Sequence, residues 1–196
     1  MQEHFVTIDG KRHPLGEFFF VIATQNPVEH EGTYPLPEAQ LDRFFIKLEV
    51  GYPSADVEVE MIRELSQEDP LMTESRNAAP EDMRVRAGVV RTIALEESLA
   101  RYIQELAAAT RNHPNILLGA SPKSALHLSL AAKCTAAFDN RDYVVPDDIK
   151  QQVRNVLQHR LILRPEIIPS KERYQQILDD ILDHVAIPKV EEAQSA

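Results

Sequence analysis

Residues 119–132 read GASPKSALHLSLAA, and this stretch decides the class of fold. Ser121 is a residue type that caps helices, and Pro122 follows it at the first helical position. The helix behind it is apolar on almost every side, with Ala125, Leu126, Leu128, Leu130, Ala131 and Ala132 in its first turns. A helix of this kind is buried among other helices. The sequence therefore predicts a helical bundle with this helix at its centre.

Helical periodicity continues on both sides of this stretch. Apolar residues recur every three to four positions in segments 54–65, 95–111, 146–157 and about 170–185. Residues 69–92 contain Pro70 and Pro80, and they predict a connection with one short helix. We therefore expect residues 54–196 to form a helical domain.

The first 53 residues show a different pattern, typical of β-structure. Phe5–Ile8 precedes Asp9-Gly10, a favoured hairpin turn. Phe18–Ala23 is a short apolar run of the kind found in buried strands, and Phe44–Val50 predicts a further strand. The predicted fold class is therefore α+β and mainly α, with residues 1–53 as the smaller, β-containing domain.

Composition excludes several classes of protein. The chain has 196 residues, of which 43% are hydrophobic, and a net charge of -10. No apolar run reaches the roughly 20 residues that span a bilayer. The acidic balance and the lack of a basic, aromatic-rich stretch argue against nucleic-acid binding. The single Cys134 excludes an internal disulfide and suits a reducing compartment, so we expect a cytoplasmic location.

The histidines give no sign of a metal site. The seven histidines form no pair at a spacing of four residues, and none stands near the one cysteine at a ligand spacing. We predict that the chain holds no metal. Cys134 lies in a mainly apolar helix and is expected to be a buried structural thiol.

Three polar residues stand where strands end or helices begin, which is where α/β proteins place their sites. Asn26 follows the apolar run, where its amide could orient a water or could simply shape a turn. Arg43 precedes the strand predicted for Phe44–Val50, and the plain alternative is a local ion pair with Asp42 or Glu38. Lys123 stands in a first helical turn, where the helix dipole disfavours cations. It indicates an anionic partner or, alternatively, an accident of the surface.

Four stretches in order resemble the MoxR family of AAA+ ATPases, in a branch akin to the ATPase subunit of magnesium chelatase. They are VIATQNP at 21–27, EGTYPLPEAQLDRF at 31–44, GASP at 119–122 and RDYVVPDD at 141–148. The resemblance covers nearly the whole chain. It implies that residues 1–53 are the C-terminal part of an AAA+ α/β core and that residues 54–196 are the helical lid domain.

The resemblance also implies roles for the three polar residues. Asn26 matches the first sensor, which helps to place the attacking water. Arg43 matches the arginine finger, which stabilises charge in the site of the neighbouring subunit. Lys123 falls on the second sensor, where the family usually has arginine. Lysine keeps the charge but lacks the planar fork that binds phosphate through two hydrogen bonds.

The sequence departs from the family in a second way. The phosphate-binding pattern Gly-x-x-x-x-Gly-Lys-[Ser/Thr] does not occur in it, and no apolar strand ends in the acidic pair that holds magnesium. In the family both segments precede the stretch that matches Met1-Gln2-Glu3, so we expect the chain to begin after them. ATP and Mg²⁺ are then ligands of the parent protein, and the isolated chain should not hydrolyse ATP.

Two functional hypotheses follow from the resemblance. In the first, the chain is part of a MoxR-like ATPase that forms a ring, expected to be hexameric, and couples ATP hydrolysis to chaperone-like remodelling or maturation of a client protein. A von Willebrand factor A-type partner is implied by analogy. In the second, the chain is a non-catalytic lid and interface module that binds a partner and completes a neighbour's site through Arg43.

Overall fold

A computed structural model describes residues 5–25, 36–65 and 79–188. Its elements are β1 (Phe5–Ile8), β2 (Lys11–Pro14), α1 (Glu38–Leu41), α2 (Ala55–Leu65), α3 (Pro80–Thr92), α4 (Glu97–Asn112), β3 (Ile116–Leu118), α5 (Pro122–Phe138), α6 (Pro146–Leu157), β4 (Ile162–Leu163) and α7 (Lys171–His184). A single 3-10 turn, Gln158–Arg160, joins α6 to β4. The fold is mainly helical with a few short strands, as the sequence predicted.

The hairpin at the start of the chain is confirmed. β1 and β2 pair antiparallel, with Ile8 opposite Lys11. The two residues between them, Asp9 and Gly10, have φ values of 49° and 76°. Positive φ at both central residues belongs to the tight turn whose twist matches that of the strands, and Asp-Gly is a preferred pair there.

The two longer strands predicted for Phe18–Ala23 and Phe44–Val50 are wrong, because neither segment is a strand in the structure. In the described residues, strands pair only as β1 with β2 and β3 with β4. A strand needs neighbours that complete its hydrogen bonds, and an apolar run alone does not supply them. Phe20 and Ile22 are accordingly 79% and 78% exposed.

The core lies between α4, α5, α6 and α7. Fully buried side chains come from each of these helices, among them Leu99, Leu106, Leu128, Ile149 and Leu178. α5 contacts α3, α4 and α6, in line with the central place predicted for it, but it is not buried on every side. Leu126 and Leu130 of α5 are exposed, because only one face of this apolar helix is covered in the described part of the chain.

The start of α6 is fixed by an ion pair between the buried Asp148 and the partly buried Arg141. Arg141 donates to both carboxylate oxygens of Asp148, at 2.6 and 2.8 Å, and to Asp139 at 2.9 Å. Asp148 also accepts a hydrogen bond from the backbone of Val145 at 2.8 Å. The carboxylate thus satisfies a backbone donor at a position where the Val145 side chain offers no capping oxygen.

A short strand pair brings the ends of two helices together. β3 follows α4, β4 follows α6, and the two pair antiparallel with Ile116 opposite Leu163. The start of α5 and the 3-10 turn therefore lie on the same side of the bundle. The division of the chain into two domains at residue 53 stays a prediction. Asp42 and Glu49, which precede that boundary, form hydrogen bonds with residues that follow α6. No helix of the described residues is long and apolar enough to cross a membrane.

Candidate functional site

The structure describes two of the three predicted site residues, Arg43 and Lys123, and not Asn26. Asn26 lies outside the described residues, so its role stays a prediction. Gln25, its neighbour, lines a groove on the side of the bundle where α5 begins. Arg43 and Lys123 are both described, and they stand on different elements that one network of contacts connects.

Arg43 projects from a compact turn. The short helix α1 ends at Leu41, and the backbone of Arg43 donates to Gln40 O at 3.1 Å. Phe44 N donates to Leu41 O, also at 3.1 Å, which closes the segment that we call the Arg43 turn (residues 40–45). The Arg43 side chain is exposed. An exposed guanidinium on an ordered turn is free to contact another molecule.

The local ion pair that could have explained Arg43 is not formed with Asp42. The carboxylate of Asp42 instead pairs with Arg160, with 3.1 Å between Oδ1 and Nε. Among the described residues, no ion pair of Arg43 is found. The Glu38 side chain lies outside the description, so that half of the alternative stays open. The structure thus removes one of the two plain explanations for Arg43.

Arg160 binds the Arg43 turn on both sides of Arg43. Besides its pair with Asp42, its guanidinium donates to the carbonyl oxygens of Phe44 and Phe45, the latter at 3.3 Å from both Nη1 and Nη2. Only 1% of the Arg160 side chain is exposed. Burial of a charge is costly unless it is paired and hydrogen-bonded, and here the turn supplies both kinds of partner.

The remaining donors of Arg160 are taken up by the bundle. Its Nη1 donates to the carbonyl oxygen of Val156 in α6. Its Nη2 stands 2.6 Å from Nδ1 of His127 in α5. Burial, followed by the charges of Arg160 and Lys123, lowers the pKa of His127. A neutral ring is the form whose Nδ1 can accept this hydrogen bond.

His159 closes the other side of the Arg43 turn. Its Nε2 lies 3.3 Å from the carbonyl oxygen of Phe44, an acceptor, so this nitrogen carries the ring hydrogen. Burial, followed by the nearby charge of Arg160, lowers the pKa of His159 to about 4. The ring is therefore neutral at pH 7. Within the described residues its Nδ1 is buried and has no hydrogen-bond partner.

Lys123 stands on a helix start that is built from several contacts. Ser121 accepts from the backbone of Ser124 at 3.3 Å, and the Ser124 hydroxyl accepts from the backbone of Ser121 at 3.1 Å. The turn before it is anchored to α4, where the hydroxyl of Thr110 accepts from Ala120 N at 2.8 Å. The first turn of α5 is thus held in place independently of any ligand.

The half-buried ammonium group of Lys123 has no ion pair with a residue in the described ranges. It stands one turn before His127, and its charge acts on that ring. The structure therefore does not join Lys123 to Arg43 directly. It connects their elements, α5 and the Arg43 turn, because His127 of α5 accepts from the Arg160 guanidinium that also pairs with Asp42 of the turn.

A groove of about 1100 Å³ runs between the start of α5 and the 3-10 turn. The polar and charged residues that line it include Gln25, Asp42, Lys47, Arg111, Ser121, His159, Arg160 and Lys171. Charged and polar groups of both signs reach it. Among the described residues, no group of three or more His, Cys, Asp and Glu side chains could hold a metal ion.

Sequence reasoning missed Arg160, His127 and His159. A signal for Arg160 was present, because the buried face of α6 runs through Val153 and Val156 at helical spacing and Arg160 continues it. A charged residue on a buried helix face needs an ion pair and hydrogen bonds, so its position in the sequence predicts that it contacts polar groups of another segment. Cys134, predicted to be a buried structural thiol, is only partly buried, and this burial raises the pKa of its thiol.

Comparison with protein families finds two matches in this chain. The ATPase family associated with various cellular activities (AAA) matches residues 1–46. The AAA lid domain matches residues 108–181, the part that contains α5, α6 and the 3-10 turn. The first match includes Arg43, and the second includes Lys123, His127 and Arg160.

Individual proteins that are similar to this chain agree with these two family matches. The uncharacterized protein YeaC of Bacillus subtilis is 42% identical over 96% of this chain and 59% of its own length. Chaperone MoxR1 of Mycobacterium tuberculosis is 35% identical over 97% of this chain and 52% of its own length. A crystal structure of a protein described as an ATPase, from Cytophaga hutchinsonii, matches with a TM-score of 0.83 and 39% identity, over 96% of this chain and 60% of that one. The chain thus spans little more than half the length of the relatives that it matches.

Proposed function

Because the chain belongs to the MoxR family of AAA+ ATPases, we propose that it supplies two parts of a ring-forming ATPase: a helical lid that senses nucleotide in its own subunit, and an arginine finger that completes the site of the neighbouring subunit. AAA+ proteins generally assemble into rings and use ATP with Mg²⁺. In the proposed parent protein, Arg43 is the finger and Lys123 is the second sensor.

The observation that carries this proposal is the state of Arg43. Its side chain is exposed, while its neighbour Asp42 is committed to Arg160. A finger must reach a neighbouring subunit from a fixed base, and an exposed guanidinium on an ordered turn meets that need. Such a group stabilises charge that develops on the transferred phosphoryl group.

Lys123 fits the binding of an anion. Lys123 stands in the first turn of α5, directly after Ser121 and Pro122, which line the groove, and it has no ion pair with a described acidic side chain. The backbone N–H groups of a helix start add positive potential at the same place. Lys123 would contact a phosphate of bound ATP as a point charge, whereas an arginine would bind it through two parallel hydrogen bonds.

The described residues contain no group of three or more His, Cys, Asp and Glu side chains that could hold a metal ion, and the sequence contains no apolar strand that ends in the acidic pair of the family. The ligands for Mg²⁺ and the amides that hold the phosphates would therefore come from other segments of the parent protein. Asn26, the proposed first sensor, would orient the attacking water in the same subunit. Work on a client protein, a hexameric ring, a von Willebrand factor A-type partner and a cytoplasmic location complete the proposal by family analogy.

Steady-state hydrolysis by the assembled ring tests the proposal. Rings that carry Arg43→Ala should bind ATP with near-normal affinity and turn it over at least about 100-fold more slowly, because the finger acts mainly in the transition state. Rings with Arg91→Ala, which removes an exposed guanidinium from α3, should keep the wild-type rate. Full turnover by Arg43→Ala rings would refute the assignment.

The second candidate function is the non-catalytic one, in which the chain by itself is a lid and interface module. It is favoured for the isolated chain by the lack of a phosphate-binding loop in the sequence. The two candidates share Arg43, and both expect the purified chain alone to be inactive. They differ in whether the subunit that contains this chain also hydrolyses ATP in its own site. An ATPase assay of the full-length protein separates them.

A further inference from the structure

We propose that Arg160 is a positioning residue for Arg43: a buried guanidinium of the helical bundle fixes the backbone of the turn from which the finger projects. The inference rests on the proposed function for its consequence in catalysis. Its structural part, that Arg160 orders the Arg43 turn, stands on the geometry alone and can be tested separately.

The contacts surround Arg43 without touching its side chain. Arg160 pairs with the carboxylate of Asp42 on one side and donates to the carbonyl oxygens of Phe44 and Phe45 on the other. Arg43 stands between these anchored residues, and its side chain is exposed. One buried group thus fixes the position of the finger's backbone and leaves its guanidinium free.

The Arg43 turn has little internal support of its own. α1 is only four residues long, and the backbone hydrogen bonds of residues 40–45 are those of single turns. Beyond the turn, Lys47 N donates to Asn155 O of α6 at 2.8 Å. Isolated short helical turns are marginal in water, so contacts with the bundle must hold this segment. Phe45 and Ile46 pack against the core, and Arg160 supplies the largest group of hydrogen bonds between this segment and the bundle.

The site requires arginine in particular. Arg160 has acceptors at Asp42, Phe44, Phe45, Val156 and His127. A guanidinium carries five N–H donors in a planar fork, whereas an ammonium group carries three that point from a single atom. Lysine would therefore keep the charge opposite Asp42 and lose the carbonyl contacts. The Arg160→Lys variant therefore tests whether the hydrogen bonds to the carbonyl groups of the turn matter in addition to the positive charge.

Hydrogen exchange of the purified chain provides the first test. Asp42→Asn removes the ion pair at a residue that is 37% exposed, so this variant should fold even if Arg160→Lys does not. In both variants the amides of residues 41–47 should exchange about tenfold faster, while those of α4 and α5 keep their wild-type rates. Arg154→Gln, which breaks the exposed Arg154–Asp179 pair in the same bundle, should leave residues 41–47 unchanged.

An unchanged rate at residues 41–47 would overturn the proposal, since the turn would then be ordered without Arg160. So would an equal acceleration throughout the core, because that pattern would make Arg160 a general stabilising residue. Acceleration confined to residues 41–47 is the result that supports positioning.

The assembled ring provides the second test. Arg160→Lys should lower kcat about tenfold and leave ATP affinity unchanged, and the double variant with Arg43→Ala should be no slower than Arg43→Ala alone. If the losses of kcat in the two single variants multiply in the double variant, the proposal of a positioning role is overturned. A loss of ATP affinity in Arg160→Lys that matches its loss of kcat would also overturn it. If Arg43→Ala rings retain full turnover, the finger assignment fails, and the exchange rates alone then decide whether Arg160 orders the turn.

Discussion

Gly119 lies against the backbone of Arg111, so closely that an added Cβ would stand 2.6 Å from the nitrogen of Arg111 and 2.7 Å from its Cα. The contact brings the segment before α5 onto the last turn of α4. There Arg111 Nε donates to Ala120 O at 2.8 Å, and Thr110 accepts from Ala120 N. The start of the helix that carries Lys123 is therefore set by a close approach that only glycine allows.

Gly119→Ala should lower the free energy of unfolding by about 2 kcal/mol or more, because backbone atoms rather than a flexible side chain must give way. The Thr110–Ala120 hydrogen bond should be strained by the same movement. Urea denaturation of the purified chain, followed by far-ultraviolet circular dichroism, measures the change.

Gly51→Ala is the matched control, since nothing lies within 4 Å of a Cβ at that position. Its unfolding free energy should stay within about 0.5 kcal/mol of the wild type. Equal midpoints for the two variants would show that the segment relaxes freely and that the close approach does not fix α5.

The parts of the fold that the sequence predicts are those with local signals. Asp9-Gly10 makes a hairpin from its own backbone preferences, and Ser121-Pro122 begins a helix through a hydroxyl and a ring that act within one turn. The strand predicted for residues 18–23 fails because pairing depends on distant segments, about which an apolar run carries no information.

The candidate site shows the same difference between features with local sequence signals and features that depend on distant segments. Arg43 and Lys123 are predicted from the short motifs around them. Lys123 lies at the start of a helix as expected, whereas the strand predicted to follow Arg43 is not formed. Arg160 could not be connected to Arg43 from the sequence, because its partner Asp42 is 118 residues away along the chain. The connection depends on how the segment after α1 packs on the bundle, and only the three-dimensional structure gives that.

Stability should fall between pH 6.5 and about 4 because of His159. The pKa of this ring is lowered from 6.5 to about 4 by burial and by the charge of Arg160, so the unfolded chain takes up the proton first as the pH falls. The contribution of the neutral, buried His159 ring to the free energy of unfolding is complete above pH 6.5. It is lost progressively as the pH falls from 6.5 to about 4. With a discount for partial exposure, the wild type should lose about 2 kcal/mol more than His159→Gln between pH 7 and pH 4.

The glutamine amide can still donate to Phe44 O, so His159→Gln removes the titration and keeps the hydrogen bond. His13→Gln, on the exposed second strand of the hairpin, is the control and should follow the wild-type curve. Urea midpoints measured at half-unit pH intervals give the comparison. Parallel curves for the wild type and His159→Gln would place the acid sensitivity elsewhere.

Lys123→Ala should weaken ATP binding to the assembled ring about tenfold, the usual effect of losing one charge-assisted hydrogen bond. Lys123→Arg should bind at least as tightly as the wild type, because the planar fork can hold phosphate through two bonds. Equilibrium titration with a fluorescent ATP analogue measures both affinities.

Lys133→Ala serves as the control for charge, since it removes a lysine of the same helix α5, ten residues further along. Its affinity should match the wild type. If Lys123→Ala and Lys133→Ala bind ATP equally well, Lys123 is a surface residue and the second-sensor role must be abandoned.

The purified chain alone should bind ATP weakly. Phosphates are held by the backbone amides and lysine of the phosphate-binding loop, and the sequence contains no such pattern. Calorimetric titration should show no saturation at micromolar ATP. Sub-micromolar affinity would mean that the groove beside α5 supplies phosphate contacts of its own.

Mixed rings give the sharpest test of Arg43. If Arg43 acts on the neighbouring subunit, mixing Arg43→Ala subunits with subunits that are defective in their own phosphate-binding loop should restore part of the ATPase activity. At some interfaces an intact finger then faces an intact loop. Initial rates measured across a series of mixing ratios should pass through a maximum.

Asn26→Ala is the control for direction, because the proposed first sensor serves the same subunit as the loop. Mixing it with the loop-defective subunits should restore nothing, since each subunit then carries a defect in its own site. Rescue of both variants would mean that random exchange, and not a finger acting on its neighbour, explains the activity. A third result, in which Arg43→Ala lowers the melting temperature and leaves kcat intact, would return Arg43 to the local ion pair with Glu38, because Asp42 is already held by Arg160.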